Sequence, residues 1–308
     1  MNLVFFGTSS FGLPSLDALK DSNHKILAVV TQPDKPSGRK LELKASAVKE
    51  WALKNSLPCL DFSRESEEAC VGQLTELNAD AFVVISFGRL LKKNLLEMPK
   101  VAALNVHASL LPRWRGASPM QSAILAGDAE TGVGVMRMVE ALDAGDVLLE
   151  KRVRMEPAES ILTLEPKLAA LGASALLSAL DLLQKGKAPW NPQDSKNVTV
   201  CVKIKKEDGH VQWSETAENL DRRVRAFLRW PGSHTFLGEK RLILKRCRVE
   251  AGSGHRPGVV LEVGSSGIRV GAGKGVLVLE VLQLEGRNAL PAGEFLKGFS
   301  LKAGDNLH

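Results

Sequence analysis

Short apolar runs alternate with amphipathic stretches through the first two-thirds of the chain. Residues 3–6, 26–30, 81–85, 101–106, 132–138 and 147–153 form brief, dense apolar runs, the pattern of strands covered on both faces. Between them, residues 14–20, 45–55, 66–77 and 119–125 predict helices, and the Ala- and Leu-rich residues 162–184 predict a long one. This alternation predicts an α/β unit, a Rossmann-like, largely parallel sheet with helices on both faces. A polar break at 185–196, carrying Pro189 and Pro192, marks a change of texture. Beyond it come a helix at 217–227 and strand-like runs at 241–249, 258–263, 267–270 and 275–281, separated by glycines. Those features predict a smaller OB-like β-barrel. The expected organisation is a catalytic domain over 1–188, a linker over 189–206 and a second domain over 207–308.

Composition changes the picture at three points. A length of 308 residues with 44% hydrophobic positions is enough for two cores. No apolar stretch is expected to reach the ~20 residues of a membrane span. The first residues lack the features of a secretion signal or transit peptide, so the cytoplasm is the expected compartment, with no membrane partner. A monomer is expected. Cys59, Cys70, Cys201 and Cys247 are scattered and read as reduced, mostly buried thiols, and no His/Cys spacing suggests a metal site. Lys and Arg balance Asp and Glu over residues 1–200, 23 against 23, whereas residues 201–308 hold 18 against 12. Basicity confined to one module suits a polyanionic partner, nucleic acid first, or simply a solvated surface.

The candidate chemistry lies at the end of the fourth apolar run. Asn105 and His107 are two apart on a strand, so they share a face, and they sit where ligands bind in open α/β sheets. An amide beside an imidazole can stabilise an oxyanion and move protons, and a carboxylate such as Asp143 can orient the imidazole. Asp146 is its rival. The loop at 7–12 follows the first strand, but it is neither a dinucleotide fingerprint nor a phosphate loop. A strand-to-helix turn explains it.

Asn105, Val106 and His107, followed by Ser109, Leu110, Leu111, Pro112, Arg113, Trp114, Arg115 and Gly116, resemble the signature of the formyltetrahydrofolate-dependent formyltransferases. Taken with residues 6–8, 31–39, 127–133, 142–146, Trp213 and 225–231, the resemblance runs along nearly the whole chain and is to the methionyl-tRNA formyltransferase family. It implies 10-formyltetrahydrofolate as donor, the α-amino group of initiator methionyl-tRNA as acceptor, and Asn105, His107 and Asp143 as catalytic residues, with the first Asp of the 142–146 motif preferred. It further implies reduced-folate contacts at Ser109, Leu110, Leu111 and Pro112, and a pterin wall at Phe87, Gly88, Arg89 and Leu90. By the same resemblance Lys35, Arg39, Lys40 and Lys44 approach the tRNA acceptor end. Lys203, Lys205 and Lys206 would position tRNA phosphates, as would Arg222, Arg223 and Arg225. Phe87 stands where the family commonly has tyrosine, and Ala45 where it has proline. A sugar-nucleotide formyltransferase, a formyltetrahydrofolate hydrolase and a non-catalytic RNA-binding protein remain alternatives.

Overall fold

The computed structural model describes residues 1–37, 42–63 and 66–308; Arg39 and Lys40 lie outside the described residues. Packing divides the chain into two compact units. One comprises Met1–Gly116, Glu130–Arg154 and Glu165–Cys201; the other comprises Ala117–Ala129, Met155–Leu164 and Val202–His308. Residues 189–201, expected in a linker, fall within the first unit.

The strands of the first unit are β1 (Asn2–Gly7), β2 (Lys25–Thr31), β3 (Lys35–Ser37), β4 (Glu42–Lys44), β5 (Cys59–Asp61), β6 (Ala81–Ile85), β7 (Ala102–His107), β8 (Arg115–Gly116), β9 (Glu130–Arg137), β10 (Val147–Arg154) and β11 (Val200–Cys201). Seven form one sheet in the order β10-β9-β7-β6-β1-β2-β5. The five from β5 to β7 are parallel, and β9 and β10 are antiparallel additions at the β7 edge. Leu3, Val4, Phe5 and Phe6 are all fully buried, which is why β1 reads as an unbroken apolar run. The chain proceeds outward from β1 through β2 to β5, then returns to β6 on the other side of β1. The loops after β1 and β6 therefore leave in opposite directions and open a crevice at the carboxyl ends of the strands. Helices α1 (Leu13–Lys20), α2 (Ala47–Lys54), α3 (Glu67–Leu77) and α4 (Lys93–Leu96) connect these strands. Ser46 caps α2 by accepting the Lys49 N–H at 3.0 Å.

Helix α5 (Pro119–Ala126) belongs to the second unit, and the division between the units falls within α6 (Ile161–Gln184). The absence of a stretch as long as a membrane span needs correction at α6. Its 24 residues include an 18-residue stretch of mean hydropathy 1.4, long and apolar enough to cross a membrane by length and composition. Half of that stretch is buried in the protein, including Leu168, Leu176 and Leu180. A helix laid on a sheet needs a wide apolar face, and here Ala169, Ala173, Ala175 and Ala179 join the leucines on it.

The second unit holds α7 (Ala217–Ala226), β12 (His234–Leu237), β13 (Lys240–Glu250), β14 (Val260–Gly264), β15 (Gly267–Gly271), β16 (Val276–Leu284), β17 (Ala289–Pro291) and α8 (Ala292–Gly298). The strands pair in the order β12-β13-β16-β15-β14, with β17 also on β16, every pairing antiparallel. Register shifts around Arg246 curve β13 into a half-barrel. Trp213, Leu220, Leu244, Ile268 and Leu279 fill its core. The Trp213 indole N–H is satisfied by Thr235 Oγ1 at 2.9 Å.

Candidate active site

Strand β7 delivers Asn105 and His107 to its carboxyl end on one face. His107 is buried, its side chain 6% exposed. Its Nε2–H donates to the Trp114 carbonyl at 2.8 Å, because a carbonyl can only accept. That bond turns Nδ1 towards Asp143, whose Oδ2 lies 3.6 Å away. Asn105 Nδ2 donates to Asp143 Oδ1 at 3.4 Å, so the three residues meet in one place. Asp143 adopts a left-handed backbone, φ 48°, which carries its side chain back over the strand end. Its Oδ2 also accepts the Gly116 N–H at 2.8 Å. Asp146, the rival carboxylate, instead closes its loop through its backbone carbonyl, which accepts the Arg137 N–H at 2.9 Å.

The loop after β7 is tightly held. Ser109 is fully buried and its hydroxyl donates to the Arg113 carbonyl at 2.6 Å, the geometry of a loop brace. The Leu111–Pro112 peptide is cis. Arg113 lies over the Trp114 ring, 4.4 Å from its centroid. Leu111 packs with Met136 and Val147, and Leu110 reaches the backbone at Gly132, where an added Cβ would lie 2.6 Å from it.

Residues 86–90 follow β6 into the crevice at the sheet's switch point. The Phe87 carbonyl accepts from Thr8 Oγ1 at 2.9 Å and from Gln32 Nε2 at 2.6 Å. Gly88 has φ 76°, and a Cβ there would lie 2.6 Å from Gln32 Nε2. The Phe87 ring faces inward, edge-on to Phe6 and Phe62, in the core. Arg89 donates to the Phe62 carbonyl at 3.0 Å, whereas Leu90 is 78% exposed. A neighbouring cleft of about 420 Å³ is lined by Leu96, Ala103, Met138, Val139 and Glu140, which the sequence pattern did not single out. Ala103 and Met138 lie on β7 and just past β9, a short step from Asn105 and the loop bearing Asp143.

Two other contributors were not legible in the sequence. The Trp114 carbonyl anchors His107, a backbone role that no motif signals. Gln193 donates its amide to the carbonyls of Asp143 and Gly145 at 2.9 and 2.7 Å. Among the basic residues, Lys35 and Lys44 are exposed and face each other across the β3–β4 hairpin. Lys203, Lys205 and Lys206 are exposed. The α7 arginines are engaged within their own unit. Arg222 bonds Asn219 at 2.5 Å, Arg223 pairs with Glu215 at 2.9 Å, and Arg225 with Asp221 at 2.8 Å. Among the described residues, no group of three or more His, Cys, Asp or Glu could hold a metal ion.

Residues 1–180 match the formyl transferase family model, and residues 203–300 match the model of the formyl transferase C-terminal domain. The curated methionyl-tRNA formyltransferase of Geotalea daltonii is 40% identical over 307 residues, covering 100% of this chain and 98% of that one. The enzyme of the same name from Coxiella burnetii is 40% identical over 297 residues, covering 96% and 95%. The fold is shared with HypX from Aquifex aeolicus, crystallised with tetrahydrofolic acid, at a TM-score of 0.66 and 19% identity. That match covers 96% of this chain and 47% of HypX, so the chain spans about half the length of that protein.

Proposed function

The chain belongs to the methionyl-tRNA formyltransferase family, formyl-transferring enzymes that act on initiator methionyl-tRNA with a formyl-folate donor, and we propose that its donor is 10-formyltetrahydrofolate and its catalytic residues Asn105, His107 and Asp143. The observation that carries this reading is the convergence of an amide, an imidazole and a carboxylate at the carboxyl end of β7. The neutral α-amine of methionine attacks the formyl carbon, and a C–N bond forms. The carbonyl oxygen becomes an oxyanion, which the Asn105 amide and a proton on His107 Nδ1 stabilise. Asp143 sits beside that proton and balances its charge. Collapse breaks the bond to N10 of the folate, and the proton lost by the amine passes, through a bound water, to the departing nitrogen. Ser109 takes no covalent part, since its hydroxyl is committed to the Arg113 carbonyl. Removing one oxyanion donor is worth about 3 kcal/mol, a hundredfold or more in rate.

The cleft beside Leu96, Ala103 and Met138, whose lining also carries Arg137 and Glu140, suits the flat face of the folate, with residues 86–90 and 109–112 as its further contacts. Lys35, Arg39, Lys40, Lys44, Lys203, Lys205 and Lys206 serve tRNA phosphates. The enzyme works in the cytoplasm, where charged initiator tRNA is available, as a monomer without a metal. Transfer from 10-formyltetrahydrofolate to charged initiator tRNA, with an amino-sugar nucleotide as competing acceptor, tests the assignment. Preference for the sugar, or release of free formate, overturns it.

A further inference from the structure

We infer that Gln193 is a positioning residue for formyl transfer: its side-chain amide locks the backbone that aims Asp143 at His107, and Arg115 locks the amide. This rests on the reading that Asp143 acts in catalysis. Gln193 lies between two prolines and a polar stretch, in a segment whose composition marks it as a connector. Its amide nevertheless has three oxygen or nitrogen partners, beside a weak contact from Nε2 to Met136 Sδ at 4.0 Å. Nε2 donates to the Asp143 carbonyl at 2.9 Å and to the Gly145 carbonyl at 2.7 Å, while Oε1 accepts from Arg115 Nε at 2.9 Å. Two carbonyls demand the NH₂ end and a guanidinium demands the oxygen, so the orientation of the amide is fixed by chemistry.

The loop it holds needs holding. Asp143 has φ 48°, and Gly145 passes so close to β9 that a Cβ there would lie 1.9 Å from the Arg137 carbonyl. A non-glycine residue in the left-handed region persists only where its surroundings over-determine it. Gln193 binds the carbonyl of Asp143 itself, so it fixes the peptide plane from which the catalytic side chain departs. The other end of Asp143 is held by Gly116, the residue after Arg115. The contacts close a circuit: Asp143 carboxylate, Gly116, Arg115, Gln193 amide, Asp143 carbonyl.

Gln193 is itself well placed for this work. Asn191 exchanges both backbone hydrogen bonds with Val147, at 2.8 and 2.9 Å, and the Trp190 ring lies beneath the Arg137 guanidinium at 4.2 Å. Further along, Thr199 accepts the N–H of Trp114 through its hydroxyl and that of Arg115 through its carbonyl. β11 then pairs with β8, Val200 opposite Arg115. Residues 190–201 thus strap together the two loops that make the site.

The test uses the full-length enzyme with initiator methionyl-tRNA and 10-formyltetrahydrofolate. Gln193→Met preserves length and bulk without the amide. Gln193→Glu preserves, and by charge strengthens, the bond to Arg115, but sets a carboxylate against two carbonyls. Both should lower kcat by about tenfold to a hundredfold, the scale of a catalytic group displaced by an ångström, with each KM changed less than about threefold. Gln193→Glu should be no better than Gln193→Met. On an Asp143→Ala background, Gln193→Met should cause little further loss, because the two act through one group. A near-normal kcat for Gln193→Glu overturns the inference. So does a loss confined to KM, one that vanishes when the assay is cooled below the variant's unfolding transition, or a full additional loss in the double variant. Should Asp143→Ala alone leave kcat intact, the assignment of the catalytic carboxylate fails, and the inference with it.

Discussion

The backbone N–H of Gly116 donates to Asp143 Oδ2 at 2.8 Å, the same oxygen that faces His107 Nδ1. A peptide N–H does not titrate, so it holds the carboxylate whatever the protonation state of the imidazole. The signature loop therefore does more than border the site. It carries the donor that aims the carboxylate.

Asp143→Asn separates charge from shape. Asparagine tolerates a positive φ as well as aspartate does, and its side-chain oxygen can still accept from Gly116. Stability should stay within about 1 kcal/mol of the parent, because the turn and its hydrogen bond survive. Turnover should fall about a hundredfold or more, because the charge opposing a proton on His107 is gone. Urea unfolding together with single-turnover formyl transfer measures both, and an active, stable Asp143→Asn enzyme contradicts the assigned role.

Gly116→Ala should damage fold and rate together. The glycine has φ 118°, and its added Cβ would lie 2.2 Å from the Cys201 carbonyl on β11. Backbone cannot yield as a flexible side chain can, so a loss of about 2 kcal/mol or more is expected. The β8–β11 pair should separate, taking with it the donor to Asp143. Hydrogen exchange at Arg115 and Cys201 would report the separation, and unchanged protection would exclude this mechanism.

Much of the fold was legible because buried parallel strands leave unbroken apolar runs. Observed β6 spans the predicted 81–85, and β7 ends one residue later than expected, at His107. The pairs β3–β4 and β8–β11 were not legible, because strands of two or three residues carry no periodicity. Asn105, His107 and Asp143 stood out as reactive types at a strand end and in a turn motif. Gln193 and the Trp114 carbonyl did not, since one looks like linker composition and the other has no side-chain signature. Phe87 shows the opposite difficulty. Its loop lies in the crevice, but its ring belongs to the core with Phe6 and Phe62.

Two sets of basic residues should respond differently to substitution. Lys203, Lys205 and Lys206 are exposed, so changing them to alanine should weaken tRNA binding and flatten its salt dependence by about one unit per lost phosphate contact. Arg223 donates to the Asp208 carbonyl at 2.7 Å and Arg225 to the Glu159 carbonyl at 2.5 Å. Replacing either should instead cost about 1 to 3 kcal/mol of stability, by leaving half-buried acceptors unsatisfied. Filter binding across a salt series, paired with denaturation, distinguishes the two. An unchanged salt slope for the lysine variant would mean that those side chains are only solvated.

Removal of residues 207–308, the second domain expected from the sequence, should fail to isolate the chemistry. The second unit also includes 117–129 and 155–164, and within it Gly127 packs against the Arg222 side chain of α7. Deleting α7 strips α5 of its partner and exposes its apolar residues. The truncated chain should aggregate or bind a hydrophobic dye, and a monomeric, cooperatively unfolding product would refute this.

Acid should weaken the fold before it touches the carboxylates. Burial holds the His24 and His234 imidazoles below their ordinary value of 6.5. His234 Nδ1 lies 3.1 Å from Arg241 Nη2, which only donates, and 3.3 Å from the Gly232 carbonyl, which only accepts; the shorter contact favours a lone pair on that nitrogen. The unfolded chain therefore binds protons below about pH 6.5 that the folded chain refuses, and stability rises with pH across that window. The contribution is fully present above pH 6.5 and declines as pH falls towards the depressed folded values. Urea midpoints at pH 7.5 and pH 5.5 should differ accordingly. His234→Gln, which still offers an acceptor to Arg241 but cannot take up a proton, should narrow the difference. An equal difference in parent and variant would remove His234 from the explanation and leave the slope to His24.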